Sequence, residues 1–240
     1  MKQITVALLL VLVLCREARA EWVLAAYTGA SHTFASDLRV RQSASSSDAT
    51  FAGVSWAPHP LTQGAPYYGL RLSYFPSTQP RLGATLDYTH YKIYAETADV
   101  VAVHGTWNGA PLNTVAALAS RVQHLEISHG VNLTSVNAQY RWGPDFGQGV
   151  WQLHAGAGLL VYLPHTEGTV DGTGVSGDYQ YAGAGGQIFG GVEYGLWRHF
   201  GAIMEGKFDA GHLELDLDPN TRITTQVRTL HLIGGIAFHF

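Results

Sequence analysis

Residues 226–240 read QVRTLHLIGGIAFHF, and the fold turns on how that stretch is read. Taken alternately, Leu230, Leu232, Gly234, Ile236, Phe238 and Phe240 fall on one face. Thr229, His231, Ile233, Gly235, Ala237 and His239 fall on the other. A period of two belongs to a strand, in which successive side chains point to opposite faces. One face is continuously apolar and ends on an aromatic ring, while the other mixes small and polar groups. That split suits a strand with lipid on one side and a barrel interior on the other.

The same alternation recurs at 22–32, 66–75, 81–95, 133–142, 151–163, 181–194 and 200–213, so the sequence predicts eight strands. Tyr68, Leu70, Leu72 and Tyr74 share one face of their strand, and Leu82, Ala84, Leu86 and Tyr88 one face of the next. Short turns at 76–80, 143–149 and 196–199 alternate with long connections. This asymmetry is expected when long loops face outward and short turns face the periplasm, with both chain ends on the periplasmic side. An even strand count lets the sheet close and removes both edges. The fold class is therefore all-β: an eight-stranded antiparallel transmembrane barrel of the bacterial outer membrane. Residues 35–49, rich in Ser, Ala and Asp, read as a mobile exposed loop before a partial strand at 50–56. Residues 96–123 read as an insertion without a period, and 165–178 as a Gly-rich loop.

Charged residues make up only 13% of the chain, roughly half the usual share, while Gly (28) and Tyr (12) are abundant. A barrel wall accounts for all three: lipid excludes charge, a crowded lumen wants Gly, and interfacial girdles want Tyr and Trp. Arg71, Asp87, Arg141, Glu193, Glu205, Lys207 and Asp209 fall on inward positions. In a lumen narrow enough for side chains to fill, they read as a paired internal network rather than the lining of a pore.

The first twenty residues read as a signal peptide, with Lys2, an apolar run at 4–14 and the small-x-small site Ala18-Arg19-Ala20. Residues 21–240 then form a single barrel domain. Cleavage would remove Cys15, the only cysteine, and with it any disulfide, thiolate nucleophile or Cys-bound metal. It would leave 11 basic and 17 acidic residues of the chain's 14 and 18, a net charge of about −6, which speaks against nucleic-acid binding.

The histidines carry the chemical signal. His124-Leu125-Glu126, His165-Thr166-Glu167 and His212-Leu213-Glu214 each place an imidazole and a carboxylate two positions apart, on one face of an extended chain. All three lie at predicted outer strand ends, as does His90 with Lys92. Two histidines and a carboxylate with open positions suit a divalent metal ion and oxygen chemistry. The alternative is a solvated rim that hydrogen-bonds the sugars and phosphates of lipopolysaccharide. Asn132-Leu133-Thr134 is a glycosylation sequon only in a eukaryotic secretory setting, and the glycines of 183–191 lack the context of a phosphate loop.

Five segments carry a family resemblance: PYYGLR at 66–71, YTHYKIYA at 88–95, LEISHGVN at 125–132, NAQYRW at 137–142 and LPH at 163–165. On these, most of residues 21–240 resembles the lipid A oxidases of rhizobial outer membranes, and the terminal Phe240 resembles the assembly signal of outer-membrane barrels. The resemblance implies oxidation of the proximal glucosamine of lipid A to 2-aminogluconate, with molecular oxygen as co-substrate and lipid A or lipopolysaccharide as partner. Two functional readings follow. In the first, an enzyme works at the extracellular rim around His90, Lys92, Glu126 and His165, with His124, Glu126, His165, Glu167, His212 and Glu214 as candidate metal ligands. In the second, a monomeric surface barrel stabilises the membrane or binds a ligand through its long loops. Lipid A deacylation by a His/Ser pair fits poorly, since the chain has no His-x-Ser.

Overall fold

Alternation along each strand has a direct structural consequence, which the computed structural model shows for residues 20–58, 67–127 and 130–240. Residues 1–19 of the predicted signal peptide, and Pro66 and Ser128-His129 of the family-like segments, lie outside the described residues. In chain order the strands begin with β1 (Glu21–Thr33), β2 (Ser36–Gln42), β3 (Ser47–Val54) and β4 (Trp56–Pro58). Next come β5 (Tyr68–Phe75), β6 (Leu82–His90), β7 (Ile93–Ala95), β8 (Val100–Trp107) and β9 (Ala110–Ala117). Then follow β10 (Val122–Ile127), β11 (Leu133–Trp142), β12 (Trp151–Tyr162), β13 (Glu167–Val170) and β14 (Thr173–Ser176). The chain ends on β15 (Gly183–Gly195), β16 (Phe200–Asp216) and β17 (Thr221–His239).

Eight of these form the barrel wall in the order β1-β5-β6-β11-β12-β15-β16-β17, and β17 pairs back onto β1 to close it. Every neighbouring pair is antiparallel. On the terminal strand Leu230, Leu232, Ile236, Phe238 and Phe240 point outward, while Thr229, His231, Ile233, Ala237 and His239 are buried. Leu70, Leu86, Val136, Leu153, Leu159, Ile188 and Met204 continue the outer apolar belt. Aromatic rings edge it at the turn end: Trp22 against Tyr74 (4.7 Å), Tyr140 against Trp142 (4.8 Å), Trp151 against Tyr194 (4.6 Å) and Phe200 against Phe238 (5.0 Å). These are the interfacial girdles that hold a barrel at its depth in a membrane.

The lumen is filled by paired charge. Arg71 donates to both Asp87 (2.8 Å) and Glu205 (2.6 and 2.7 Å). Lys207 reaches Asp87 and the Tyr27 hydroxyl, each at 2.7 Å, and Tyr27 in turn donates to Asp87 (2.5 Å). His154 contacts Glu205 (2.8 Å), and His231 pairs with Asp209. Nearer the turns, Glu21 joins Arg141 and His239, and His239 also meets Glu193 (2.7 Å). All seven inward charges predicted from sequence enter this set, so the lumen is a plug of compensated ions. A buried ion of this kind is tolerated only while its partners stay in place.

Above the belt the structure departs from the sequence reading. Residues 35–49 are no mobile loop: β2 and the first part of β3 alternate, and Leu38, Val40, Ala49 and Phe51 are buried. The 96–123 insertion holds the β8–β9 hairpin, and the Gly-rich 165–178 segment holds β13–β14. The upper part of β17 pairs with β2, which extends the barrel sheet through β3, β8 and β9. A second sheet runs β14-β13-β10-β7-β4. Leu38, Val40, Phe51 and Val103 of the first sheet and Ile93, Leu125, Ile127 and Val170 of the second belong to one apolar cluster. The long connections therefore build a buried core of their own above the apolar belt.

Two outcomes follow. Asp87→Ala removes the carboxylate partner of Lys207 and one of the two that Arg71 binds, and should cost about 3–5 kcal/mol of stability, read as a lowered urea midpoint in detergent or vesicles. Phe238→Asp places a charge on the lipid face beside Phe200 and Phe240. It should lower the fraction of folded, heat-modifiable protein, whereas Phe238→Leu should not; equal assembly of the two would contradict the assigned outer face.

Candidate functional site

Tyr88 and His90 share the outer face of β6, the face that carries Leu82 and Leu86 into the lipid belt. The β5–β6 register sets Tyr68 directly opposite His90, and their rings stack at 4.7 Å. Although it lies on the outer face, His90 is only 5% exposed. Tyr68 covers it from one side, and the 130–132 segment wraps over another. Gly130, at φ +96°, lies so close to the imidazole that any Cβ there would collide with the ring. Glycine is thus required at Gly130 both by conformation and by proximity.

Asn132 organises this corner. It sits in the left-handed region (φ +48°), which Asn tolerates better than most residues. Its Nδ2 donates to the carbonyls of Gly130 and Leu163, both at 3.2 Å, and that pair of bonds fixes which way the amide points. Oδ1 accepts from the Tyr88 hydroxyl (2.7 Å) and faces His90 Nδ1 at 2.9 Å. Since an amide oxygen only accepts, His90 must carry its proton on Nδ1. The ring's basic lone pair is then on Nε2, a buried atom beneath Tyr68. Around this group lies a cavity of about 440 Å3 lined by Tyr68, Tyr88, Tyr179, Tyr181, Leu163 and Gln180 as well as His90 and Asn132. It opens sideways at the upper edge of the apolar belt.

The sequence candidates fall into four places. His90 lines the cavity, and His165 borders it through a ring contact with Tyr179 (5.3 Å). Glu126 lies higher, on the outer face of the second sheet between Tyr94 and Glu167; His124 is 3.5 Å from Glu126, and Glu167 is 4.0 Å from His165. Lys92 is half-buried in the link between β6 and β7. His212 and Glu214 stand elsewhere, exposed on β16, where Arg222 of β17 pairs with Glu214. Among the described residues no three His, Cys, Asp or Glu side chains form a group that could hold a metal ion. The residues that sequence reasoning missed are Asn132 and the tyrosines. Asn132 stands in the sequence as part of a sequon and at the end of the family-like segment 125–132, and its role needs the 130–132 backbone turned against β6. Tyr68 and Tyr88 were visible as outward strand residues, but not as walls of a cavity.

No protein-family model matches the chain, and no curated protein matches it in sequence. Solved structures do. The Neisserial surface protein NspA is 13% identical, covers 92% of this chain and 99% of its own, and superposes with a TM-score of 0.40. OprG of Pseudomonas aeruginosa is 11% identical over 93% and 97%, with a TM-score of 0.44. The outer-membrane protein AlkL is 12% identical over 93% and 91%, with a TM-score of 0.46. The molecule's own geometry settles its place: a closed antiparallel wall, apolar outside between aromatic girdles and ion-paired inside, makes this chain an outer-membrane β-barrel of bacteria.

Proposed function

We propose that this barrel is a lipid A-modifying enzyme of the oxidase type, acting on the proximal glucosamine at the tyrosine-walled cavity. The observation that supports this reading is the cavity's position. It opens laterally at the height where lipid headgroups meet the acyl chains, so a glycolipid can enter without leaving the membrane. Tyrosine rings suit such a ligand, since they present an apolar face to a sugar ring and a hydroxyl to its polar edge. Leu163 and the upper belt receive the acyl chains.

His90 is the residue assigned to proton transfer. Asn132 holds its Nδ1–H, which leaves Nε2 to accept a proton from the hydroxyl on the anomeric carbon. Nε2 is reached when Tyr68, 40% exposed and on the lipid side, swings off the imidazole. As that proton leaves, the carbon gives up its hydrogen and two electrons to dioxygen, forming a lactone and hydrogen peroxide; water then opens the lactone to 2-aminogluconate. The His-x-Glu pairs do not fit a shared metal ion, being spread over two sheets, and they take no part in these steps. Glu126 and Glu167 stand above the cavity on the second sheet, where they flank the entry of the glycan rather than the reacting carbon.

Expression in a host whose lipid A has a free hydroxyl on the anomeric carbon of the proximal glucosamine should add the mass of one oxygen atom to lipid A in air and nothing without it, read by mass spectrometry. His90→Gln should abolish the change while the barrel remains heat-modifiable, whereas Glu126→Gln should retain it. Unmodified lipid A in aerated, well-expressing cells would assign the cavity to binding alone. Full activity in the His90 variant would remove His90 from the chemistry.

A further inference from the structure

A second candidate site lies elsewhere on the barrel wall, on β16 and β17, with β17 three strands round the wall from β6. Along β17 the outward positions run Phe238, Ile236, Leu232 and Leu230 through the belt, and the next outward residue above Leu230 is Arg228. On β16 the register sets Phe208 beside Leu230, Ala210 beside Arg228 and His212 beside Gln226. The change from apolar to polar falls between Leu230 and Arg228 on β17 and one outward pair higher, between Ala210 and His212, on β16. Arg228 is the first cation above the acyl region on this flank.

Its neighbours explain why its charge is available. Four arginines occupy this face: Arg39, Arg41, Arg222 and Arg228. Arg39 binds Asp48 with two bonds of 2.7 Å, and Arg41 lies 3.4 Å from the same carboxylate. The Arg39 hydrogen bonds hold the Asp48 carboxyl below its usual range. Arg222 is paired with Asp216 and Glu214. Arg228 differs: Nη2 donates to the Ala35 carbonyl (3.0 Å), and among the described residues the guanidinium meets no carboxylate. That single bond anchors the fork and leaves its remaining N–H groups toward an open groove of about 360 Å3, which Arg39, His212, Thr224 and Gln226 also line. One carboxylate, Asp37, lies in the lining, and its Oδ1 is engaged by the Gly53 amide (2.9 Å). With Arg39 held by Asp48, Arg228 is the guanidinium of this lining that binds no carboxylate among the described residues, and its fork is the groove's donor set for an anion.

We propose that this groove binds the phosphate of an outer-leaflet lipid headgroup, with Arg228 as the anchoring cation and the acyl chains lying along Leu230, Leu232 and Phe208. A guanidinium fork matches a phosphate with parallel hydrogen bonds, and at the edge of the hydrocarbon such charge-assisted bonds are weakly screened. The site is independent of the oxidase reading, because it shares no residue with the tyrosine cavity and holds its ligand without reaction.

The test is binding of three probes to the purified full-length barrel in neutral detergent, followed by native mass spectrometry: bisphosphorylated lipid A, the same lipid A stripped of phosphate, and inorganic phosphate. Wild-type protein should retain the phosphorylated lipid about tenfold better than the stripped one, the scale of a charge-assisted pair. Arg228→Ala should erase that preference and Arg228→Lys should keep part of it, with heat-modifiability checked for each. Gln226→Glu, which leaves Arg228 and its bond to Ala35 intact, should weaken the same preference by placing a carboxylate in the groove. Equal retention of both lipids by wild type, or an unchanged preference in folded Arg228→Ala and Gln226→Glu, would overturn the proposal. Inorganic phosphate binding as tightly as the lipid would reassign the groove to free anions. Loss of lipid A oxidation in the His90 variant would not move any of these readouts.

Discussion

Inside hydrocarbon there is no water to bond a backbone amide or carbonyl, so each must find its partner within the chain. The pairing of β17 with β1 meets this demand at the only place where the wall could have been left open. The ladder runs from Val23 opposite His239 to Thr33 opposite Thr229, and reciprocal bonds of 2.9 Å between Trp22 and Phe240 finish it. Closure then dictates what every side chain does. Outward positions contact acyl chains and must be apolar. Inward positions share a lumen too narrow for free water, so their charges must neutralise one another. The Arg71–Asp87–Lys207–Tyr27 cluster is the result, tied across the lumen to Glu205 and His154.

Above the membrane that demand relaxes, and the architecture changes with it. Water can satisfy an open edge, so β2, β3, β8 and β9 extend the wall sheet without closing it. The cost is an inner face that would expose Leu38, Val40 and Phe51. A second sheet, β14-β13-β10-β7-β4, covers that face with Ile93, Leu125, Ile127 and Val170. A hydrogen bond from the Trp107 indole to Asp171 (2.9 Å) and Arg121 lying over the Trp107 ring link β8 to the β13–β14 hairpin side. The outer faces of these sheets meet water, and this is where the arginines, histidines and carboxylates collect.

Both proposed ligand sites lie on the line between the two regimes. At this level a lipid presents its polar head and apolar tails together, and a barrel wall can contact both with adjacent residues of one strand face. His90 and Tyr88 stand above Leu86 on β6, and Arg228 stands above Leu230 on β17. The two flanks differ in chemistry. The first offers aromatic walls and a buried imidazole of defined tautomer; the second offers an accessible guanidinium.

Much of this was legible in the alternation itself. Eight wall strands, their outer faces and the inward charges follow from a period of two, because lipid outside and a narrow lumen inside impose opposite requirements on successive residues. The outward series from Leu230 to Phe240 and the inward Arg71, Asp87, Glu205 and Lys207 needed no coordinates. The same rule was present in Ser36–Gln42, where Leu38 and Val40 alternate with Asp37, Arg39 and Arg41, but polar composition hid the strand. Strand β9, at a sheet edge with no residue buried, carries no such pattern, since water meets it on both faces. The His-x-Glu pairs were legible as pairs, yet which of them lie near His90 depends on the second sheet. The tautomer of His90 depends on Asn132 more than forty positions away and on two carbonyls that orient its amide. One strand's sequence determines which face a residue takes, but long-range register and loop placement decide what it meets there.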